Sequence, residues 1–171
     1  MITQSELKEL FHYDQETGVV TRKIKTSKRT QVGEIVGSLY KSEAGKRYLR
    51  IQIGEKQYRL HRLIWLYVTG EFPPYEIDHV DGCGINNKWS NLRSVTGQIN
   101  KQNMRKYITN SSGVSGVEWN KGHARWRVRI GLGEHRKHVG YYDNLFDAAC
   151  ARKSAERLHG YHKNHGIERP L

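Results

Sequence analysis

The chain has 171 residues and a mass of 19.9 kDa, which is long for one domain and short for two of full size. Its 29 Lys and Arg residues outnumber its 17 Asp and Glu residues, and the formal net charge of +12 is spread along the whole chain. Repulsion among so many positive charges does not help the chain to fold, so a polyanionic partner is expected. Nucleic acid is the favoured partner and an anionic membrane is the less favoured one. Composition excludes a membrane-spanning segment, and neither the N-terminus nor the two cysteines indicate secretion, so an intracellular protein is expected.

The first 31 residues predict a helix, a turn and a strand. Leu7, Leu10 and Phe11 follow helical spacing behind possible caps at Thr3 and Ser5, and residues 13–18 have the composition of a turn. A short strand is expected at residues 19–21. The basic stretch at 22–31 lacks apolar periodicity, so it is either a solvated loop or a contact with a DNA backbone, and both interpretations stay open.

The middle of the chain predicts a hairpin followed by a helix. Residues 48–53 and 56–60 alternate between apolar and polar, and Gly54-Glu55 between them suits a hairpin turn. A compact apolar helix is expected at 61–67, stopped by Gly70 and two prolines. Residues 105–116 are polar and small, which is typical of a linker. We therefore predict two domains, at residues 1–108 and 109–171.

The C-terminal segment predicts three strands and a helix. Strands are expected near 116–120, 125–131 and 137–142, and an Ala-rich helix over 145–159 is expected to cover one face of the sheet. On the other face, alternation places three arginines of the central strand together with polar residues of its neighbours. This predicted arginine face consists of Asn120, Arg125, Arg127, Arg129, Arg136 and His138. Because few acidic partners accompany the arginines, DNA contact is favoured over a role in solubility.

One stretch carries residues suited to hydrolytic chemistry. A short strand is expected to place Asp78 beside His79, and a helix that begins near Thr96 is expected to present Asn100. Carboxylate and amide oxygens are the hard ligands that Mg²⁺ prefers. A neighbouring neutral His suits general-base work near neutral pH. In a basic chain this pattern indicates phosphodiester hydrolysis, whereas an isolated Asp-His pair would more often cap a turn.

These residues resemble the motif of His-Asn-His (HNH) nucleases of the homing-type phage subfamily. The resemblance runs from about Tyr58 to Asn103 and rests on His61-Arg62-Leu63-Ile64-Trp65, Asp78-His79, Asn91-Leu92-Arg93 and Gln98-Ile99-Asn100. It implies that Asp78 and Asn100 bind Mg²⁺, for which Mn²⁺ would substitute, and that His79 is the base. Asn91 would brace the loop behind His79, while Arg62, Arg93 and residues 22–29 would hold double-stranded DNA. Cys83-Gly84 and Ser94 depart from the family pattern without touching the catalytic set.

The C-terminal segment resembles a plant DNA-binding module. Gly116-Val117, Arg125-Trp126, Val139-Gly140-Tyr141-Tyr142, Ala148-Ala149 and Leu158-His159-Gly160 resemble the Apetala-two domain of ethylene-response factors. That resemblance implies that the predicted arginine face docks in a DNA major groove. The complete expectation is an α+β protein with a ββα-metal HNH nuclease core, followed by a three-stranded antiparallel sheet packed on one helix.

The function predicted from these patterns is metal-dependent endonuclease activity on double-stranded DNA. The resemblance implies a phage-encoded enzyme acting in the host cytoplasm. The rival is a non-cleaving DNA-binding regulator that keeps a vestigial nuclease fold, and an RNA-directed enzyme is a weaker third option. Two histidine features receive no function: His12 has no recognisable partner, and His159, His162 and His165 are expected to lie in a solvated tail.

Overall fold

The computed structural model describes residues 2–43, 45–104, 106 and 109–167. It divides into two compact units, with the division between Val95 and Thr96. The predicted domain boundary at 108/109 lies further along the chain, and residues 105, 107 and 108 around it lie outside the described residues.

The N-terminal unit begins with a capped helix that leads directly into a hairpin. Helix α1 spans Gln4–Leu10, and a capping box joins its N-cap Thr3 to Glu6, which fixes where the helix starts. Strands β1 (Phe11–Tyr13) and β2 (Val20–Arg22) pair antiparallel around the predicted turn.

A three-stranded sheet and a helix form the middle of this unit. Strands β3 (Ser38–Lys41), β4 (Arg47–Ile53) and β5 (Lys56–Arg59) are antiparallel with β4 at the centre. Helix α2 (Leu60–Thr69) follows at once and ends at Gly70, whose φ of 89° is the left-handed conformation that glycine adopts without strain. The buried α2 residues join α1 and β4 in the core, which explains why the helix packs against both.

A second hairpin completes the N-terminal unit. Strands β6 (Glu76–His79) and β7 (Leu92–Val95) pair antiparallel, and the loop between them contains a short 3₁₀ turn at Trp89–Asn91. The predicted helices, the hairpin at β4–β5 and the strand that carries Asp78 and His79 are all present. Strands β1, β3 and β7 were not predicted, and Phe11, which was expected to continue the first helix, begins β1 instead.

The C-terminal unit contains a short helix, α3 (Gly97–Lys101), and a sheet covered by a longer one. Strands β8 (Val117–Asn120), β9 (Arg125–Leu132) and β10 (His135–Tyr142) are antiparallel with β9 at the centre, and helix α4 (Leu145–Leu158) packs on them. Val117, Val128 and Ala148 form the core between sheet and helix, because the small Ala148 lets the helix approach closely. The predicted α+β architecture is therefore confirmed. Within the described ranges, no helix is both long and apolar enough to cross a membrane.

Candidate active site

Strand β6 carries the two residues at the centre of the predicted chemistry. Asp78 lies opposite Arg93 of β7, and His79 lies opposite Leu92. Both side chains are buried, Asp78 to 7% and His79 to 4% exposure, although successive residues of a strand usually face opposite sides. Burial of a carboxylate and an imidazole carries a desolvation cost, so each side chain needs polar partners.

Arg93 is one partner of Asp78. Its Nε and Nη2 atoms both donate to Asp78 Oδ2, at 2.9 and 2.7 Å. This charge-assisted pair fixes the position of the carboxylate. Arg93, predicted as a DNA-backbone ligand, thus lies within the site as the counterion of the predicted metal ligand.

His79 is held by the side-chain amide of Asn87, which belongs to the same polar stretch of the sequence but had been given no role. Its Nε2 atom lies 3.2 Å from Asn87 Oδ1. Burial lowers the pKa of His79, although the hydrogen bond to Asn87 and the charges of Asp81 and Asp78 oppose the shift. The neutral imidazole that results at neutral pH is the form a general base requires. No motif position marked Asn87, because only the folded loop brings it to His79.

Asn91 clamps the loop that follows His79. Its Oδ1 accepts from the Asp81 backbone N–H at 2.9 Å, and its Nδ2 donates to Asp81 Oδ1 at 2.9 Å and to the Asn86 carbonyl at 2.8 Å. Burial raises the pKa of Asp81, but hydrogen bonds from Cys83, Asn86 and Asn91 outweigh it and leave this pKa below its ordinary value. These contacts support the bracing role expected for Asn91.

The N-terminal hairpin supports the same loop from the other side. Tyr13 Oη donates to the Asn87 carbonyl at 2.7 Å, and the Trp89 backbone N–H donates to the Gln15 carbonyl at 3.0 Å. The backbone at Gly18 approaches the backbone of the loop so closely that a Cβ atom at Gly18 would lie 2.5 Å from Lys88 N. A glycine is therefore required there for the turn to pack on the loop.

Two further aromatic side chains surround His79. The ring of His61 meets the ring of His79 edge-on at 5.2 Å, and the ring of Tyr48 lies 5.5 Å from His61 and 6.1 Å from His79. Burial lowers the pKa of His61 to about 3, with the neighbouring cations adding to the shift. His61 is consequently neutral, and the uncharged rings of His61 and Tyr48 pack against the ring of the candidate base, His79. The sequence placed His61 only in the helix before the motif.

The other predicted backbone ligands of this unit have local partners. Arg62 Nη1 and Nη2 donate to the carbonyls of Tyr75 and Pro73, both at 3.4 Å, so its guanidinium supports the turn that leads into β6. Within the basic stretch, Arg22 pairs with Glu34 at 2.6 Å. The exposed cations that follow, Lys25, Lys28 and Arg29, lie on the loop between β2 and β3.

The predicted arginine face exists, but its arginines have acidic partners. Arg127 and Arg129 both pair with Glu118, and Arg125 pairs with Asp143 at 2.8 Å. The expectation of few acidic partners was wrong. Register explains the pairing with Glu118, because Glu118 of β8 lies directly opposite Arg127 of β9.

The remaining predicted residues of this face occupy its two edges. His138 lies opposite Arg129, and Arg136 lies opposite Gly131. A β-bulge between His138 and Gly140 shifts the register, so that Tyr141 joins the face opposite Arg127. The Tyr141 ring stands 4.7 Å from His138 and 4.5 Å from His123. Asn120 is engaged in its own turn, where Oδ1 accepts from His123 N at 3.0 Å.

The C-terminal histidines are not a uniformly solvated tail. His165 is buried to 8% exposure, with Nε2 3.3 Å from Arg152 Nη2 and its ring 4.7 Å from Tyr161. Arg152 also pairs with Glu156 at 2.8 Å and donates to the Arg129 carbonyl at 2.6 Å. The expectation of a solvated tail was therefore wrong at His165, which closes a buried polar cluster beneath the sheet.

The predicted metal ligands belong to different parts of the fold. Asp78 is in the N-terminal unit, whereas Asn100 lies on α3 of the C-terminal unit. Asp78 suits a hard divalent cation chemically, because carboxylate oxygens are the ligands that such cations prefer. Across the described ranges, no group of three or more His, Cys, Asp or Glu side chains is arranged to hold a metal ion. The joint site of Asp78 and Asn100 stays a prediction.

Comparisons with known proteins identify the class to which this chain belongs. Residues 58–102 match a family model described as HNH endonuclease, and this range contains His61, Asp78, His79, Asn91 and Asn100. The chain is 31% identical over 103 residues to Protein 3.8 of Escherichia phage T7, which covers 60% of this chain and 85% of that protein. The chain belongs to the HNH endonuclease family.

A solved structure gives a second, more distant similarity. It is described as DNA binding and cleavage by the HNH homing endonuclease I-HmuI, and it shares 28% sequence identity with this chain at a TM-score of 0.38. The match covers 54% of this chain and 50% of the solved one. The resemblance of residues 109–171 to the Apetala-two domain stays a prediction.

Proposed function

We propose that this protein is a metal-dependent endonuclease that hydrolyses phosphodiester bonds in double-stranded DNA. The observation that carries the proposal is the pair on β6, where the Asp78 carboxylate, bound by Arg93, adjoins a buried imidazole held neutral beside Asn87. Membership of the HNH endonuclease family and a net charge of +12 point to the same substrate class.

His79 is the base in this mechanism. Its imidazole accepts a proton from water, the water oxygen attacks phosphorus in line, and the bond from phosphorus to the 3′-oxygen breaks. Asn87 fixes the imidazole plane, and Asn91 fixes the loop that carries Asn87. Burial by His61 and Tyr48 keeps the imidazole in its neutral form before the reaction, so that one ring nitrogen can accept a proton.

Asp78 and Asn100 are the proposed metal ligands. These two residues would hold Mg²⁺ or Mn²⁺, which would supply charge stabilisation for the transition state and the leaving 3′-oxygen. Arg93 orients the Asp78 carboxylate for this task through two hydrogen bonds. The proposed biological setting, a phage-encoded enzyme acting in the host cytoplasm, is supported by the relative from phage T7.

A cleavage assay on supercoiled plasmid separates this function from its rival. We expect Mg²⁺ or Mn²⁺ to convert the plasmid into nicked or linear forms and excess chelator to stop the conversion. A non-cleaving regulator would shift the plasmid in a gel with either metal and leave it supercoiled. That outcome would overturn the nuclease proposal while keeping DNA as the partner.

The arginine face of the C-terminal unit is the proposed DNA-recognition surface. Because Glu118 neutralises two of its arginines, we expect Glu118→Gln to tighten duplex binding. We expect Arg127→Gln and Arg129→Gln to weaken it, each base-reading arginine contributing about 1–3 kcal/mol of discrimination. Fluorescence anisotropy with a preferred site and with random duplex measures both effects.

Arg157→Gln is the matched control, because it removes one exposed cation from α4 of the same unit. If the arginines contact only phosphates, their removal weakens binding equally on all sequences and flattens the salt dependence. Unchanged binding in all three face variants would place recognition elsewhere in the chain.

A further inference from the structure

The outer face of the β3–β5 sheet carries two arginines directly opposite each other. Arg50 of β4 is the register partner of Arg59 of β5, and Ser38 of β3 is the partner of Arg50 on the other side. Directly opposite residues of antiparallel strands project to the same face. Two arginine side chains therefore project to the same face from adjacent strands, at positions to which the sequence pattern assigned no function.

These two arginines lack acidic partners among the residues that the structure describes. Neither Arg50 nor Arg59 makes a salt bridge there, whereas Arg22, Arg93 and Arg127 each do. Like charges directly opposite each other on a sheet are destabilising. An anion bound between the two guanidinium groups would offset that repulsion, and a phosphate group suits two such planar donors.

Neighbouring side chains hold both guanidinium groups in place. The Arg50 guanidinium lies over the Tyr40 ring at 5.3 Å, and its Nη1 donates to Gln57 Oε1 at 3.0 Å. The Arg59 guanidinium lies over the Tyr48 ring at 5.6 Å. Groups oriented in this way lose less conformational entropy when they bind an anion.

The same face leads to the candidate base. Tyr48, which underlies Arg59, also has its ring 6.1 Å from the ring of His79. Gly84 of the active-site loop packs on Tyr48 so closely that a Cβ atom would lie 2.6 Å from the ring. An anion bound at Arg50 and Arg59 is thus separated from the reacting centre by one aromatic side chain.

We propose that Arg50 and Arg59 form a clamp for the nucleic-acid backbone beside the scissile bond. The ligand is a phosphodiester group of the strand that His79 cleaves. The inference rests on the proposed function for the identity of that strand, and it adds a subsite within the N-terminal unit that is independent of the arginine face of the C-terminal unit.

The test compares the salt dependence of duplex binding for Arg50→Gln, Arg59→Gln and the double variant. Affinity is measured by anisotropy in chelator, so that the DNA stays intact, at several salt concentrations. We expect each single variant to weaken binding roughly tenfold, because it removes a charge-assisted hydrogen bond to phosphate. The slope of log K against log salt should fall by about 1 for each phosphate that is no longer bound, equally on all sequences.

Two controls separate the clamp from a structural role. Lys56→Gln removes a cation at a β5 position that alternation assigns to the opposite face of the sheet, and it should leave the salt slope unchanged. Arg50→Lys with Arg59→Lys keeps both charges and should restore the slope. In cleavage assays with metal, the double Gln variant should raise KM with little change in kcat, because the clamp binds the backbone equally in ground and transition states.

The outcomes distinguish this inference from the proposed function. A wild-type slope in the double Gln variant, in a protein that still binds and cleaves DNA, would overturn the clamp alone. A wild-type protein that binds DNA and does not cleave it would overturn the nuclease proposal, and the slopes would still decide the clamp. A wild-type protein that binds no nucleic acid would overturn both. A lowered thermal midpoint with an unchanged slope would assign both arginines to the stability of the sheet.

Discussion

Replacing His79 with Ala should lower DNA cleavage by roughly 10²–10⁴-fold, which is the usual contribution of a positioned general base. The reason is that Asn87 fixes this imidazole and burial lowers its pKa, so the substitution removes the group that is prepared to accept the proton. Single-turnover cleavage of a labelled duplex measures the effect directly. DNA affinity, measured in chelator, should stay near the wild-type value.

The control for this substitution is His12→Ala, which removes an exposed imidazole from β1. Because truncating a buried side chain also leaves a cavity, His79→Gln provides a second variant that keeps a polar group of similar length. Cleavage near the wild-type rate in either His79 variant, with the fold intact by circular dichroism, would show that another group takes the proton.

Replacing Asp78 with Asn should reduce metal-dependent cleavage by a factor of roughly 10² or more, if the metal contributes several kcal/mol of charge stabilisation. The substitution keeps the shape of the side chain and removes the charge that binds both Arg93 and the proposed cation. Thermal unfolding adds a readout besides activity. Mn²⁺ or Mg²⁺ should raise the midpoint of the wild type, since ligands that bind the folded state stabilise it.

That metal-induced rise should be absent in Asp78→Asn and weakened in Asn100→Ala. Glu76→Gln is the matched control, because it removes an exposed carboxylate two residues away on the same strand. A full metal response in Asp78→Asn would exclude Asp78 as a ligand. If Glu76→Gln lost the metal-induced rise in the midpoint as fully as Asp78→Asn, the effect would come from the total charge of β6 rather than from one ligand.

Local patterns account for most of what could be predicted. Helix α2 has apolar periodicity and a glycine stop, and β4 and β5 alternate around a two-residue turn. Helix α3 begins directly after its N-cap, Thr96. Each of these signals lies within the segment it describes. Strand β3 has no such signal, because none of its four residues is buried and it exists through pairing with β4.

The contacts that could not be predicted depend on residues far apart in the chain. Asn87 reaches His79 only because the loop after β6 folds back. His165 is buried because its side chain packs against Arg152, which pairs with Glu156 on α4. Glu118 is a different case. Alternation along β8 places Glu118 on the same side as Asn120, but its pairing with Arg127 depends on the register of β8 against β9.

The bonds from Tyr13 and Gln15 to the loop at 87–89 mean that the segment carrying the family motif is not structurally autonomous. Residues 58–102 contain every motif side chain, yet the backbone that presents Asn87 to His79 is anchored by the N-terminal hairpin, which lies outside that range. Sequence drift in that N-terminal turn can therefore change catalysis while leaving the motif intact. Gly18 is the most exacting position of this kind, because a single methyl group there would push the turn away from the loop.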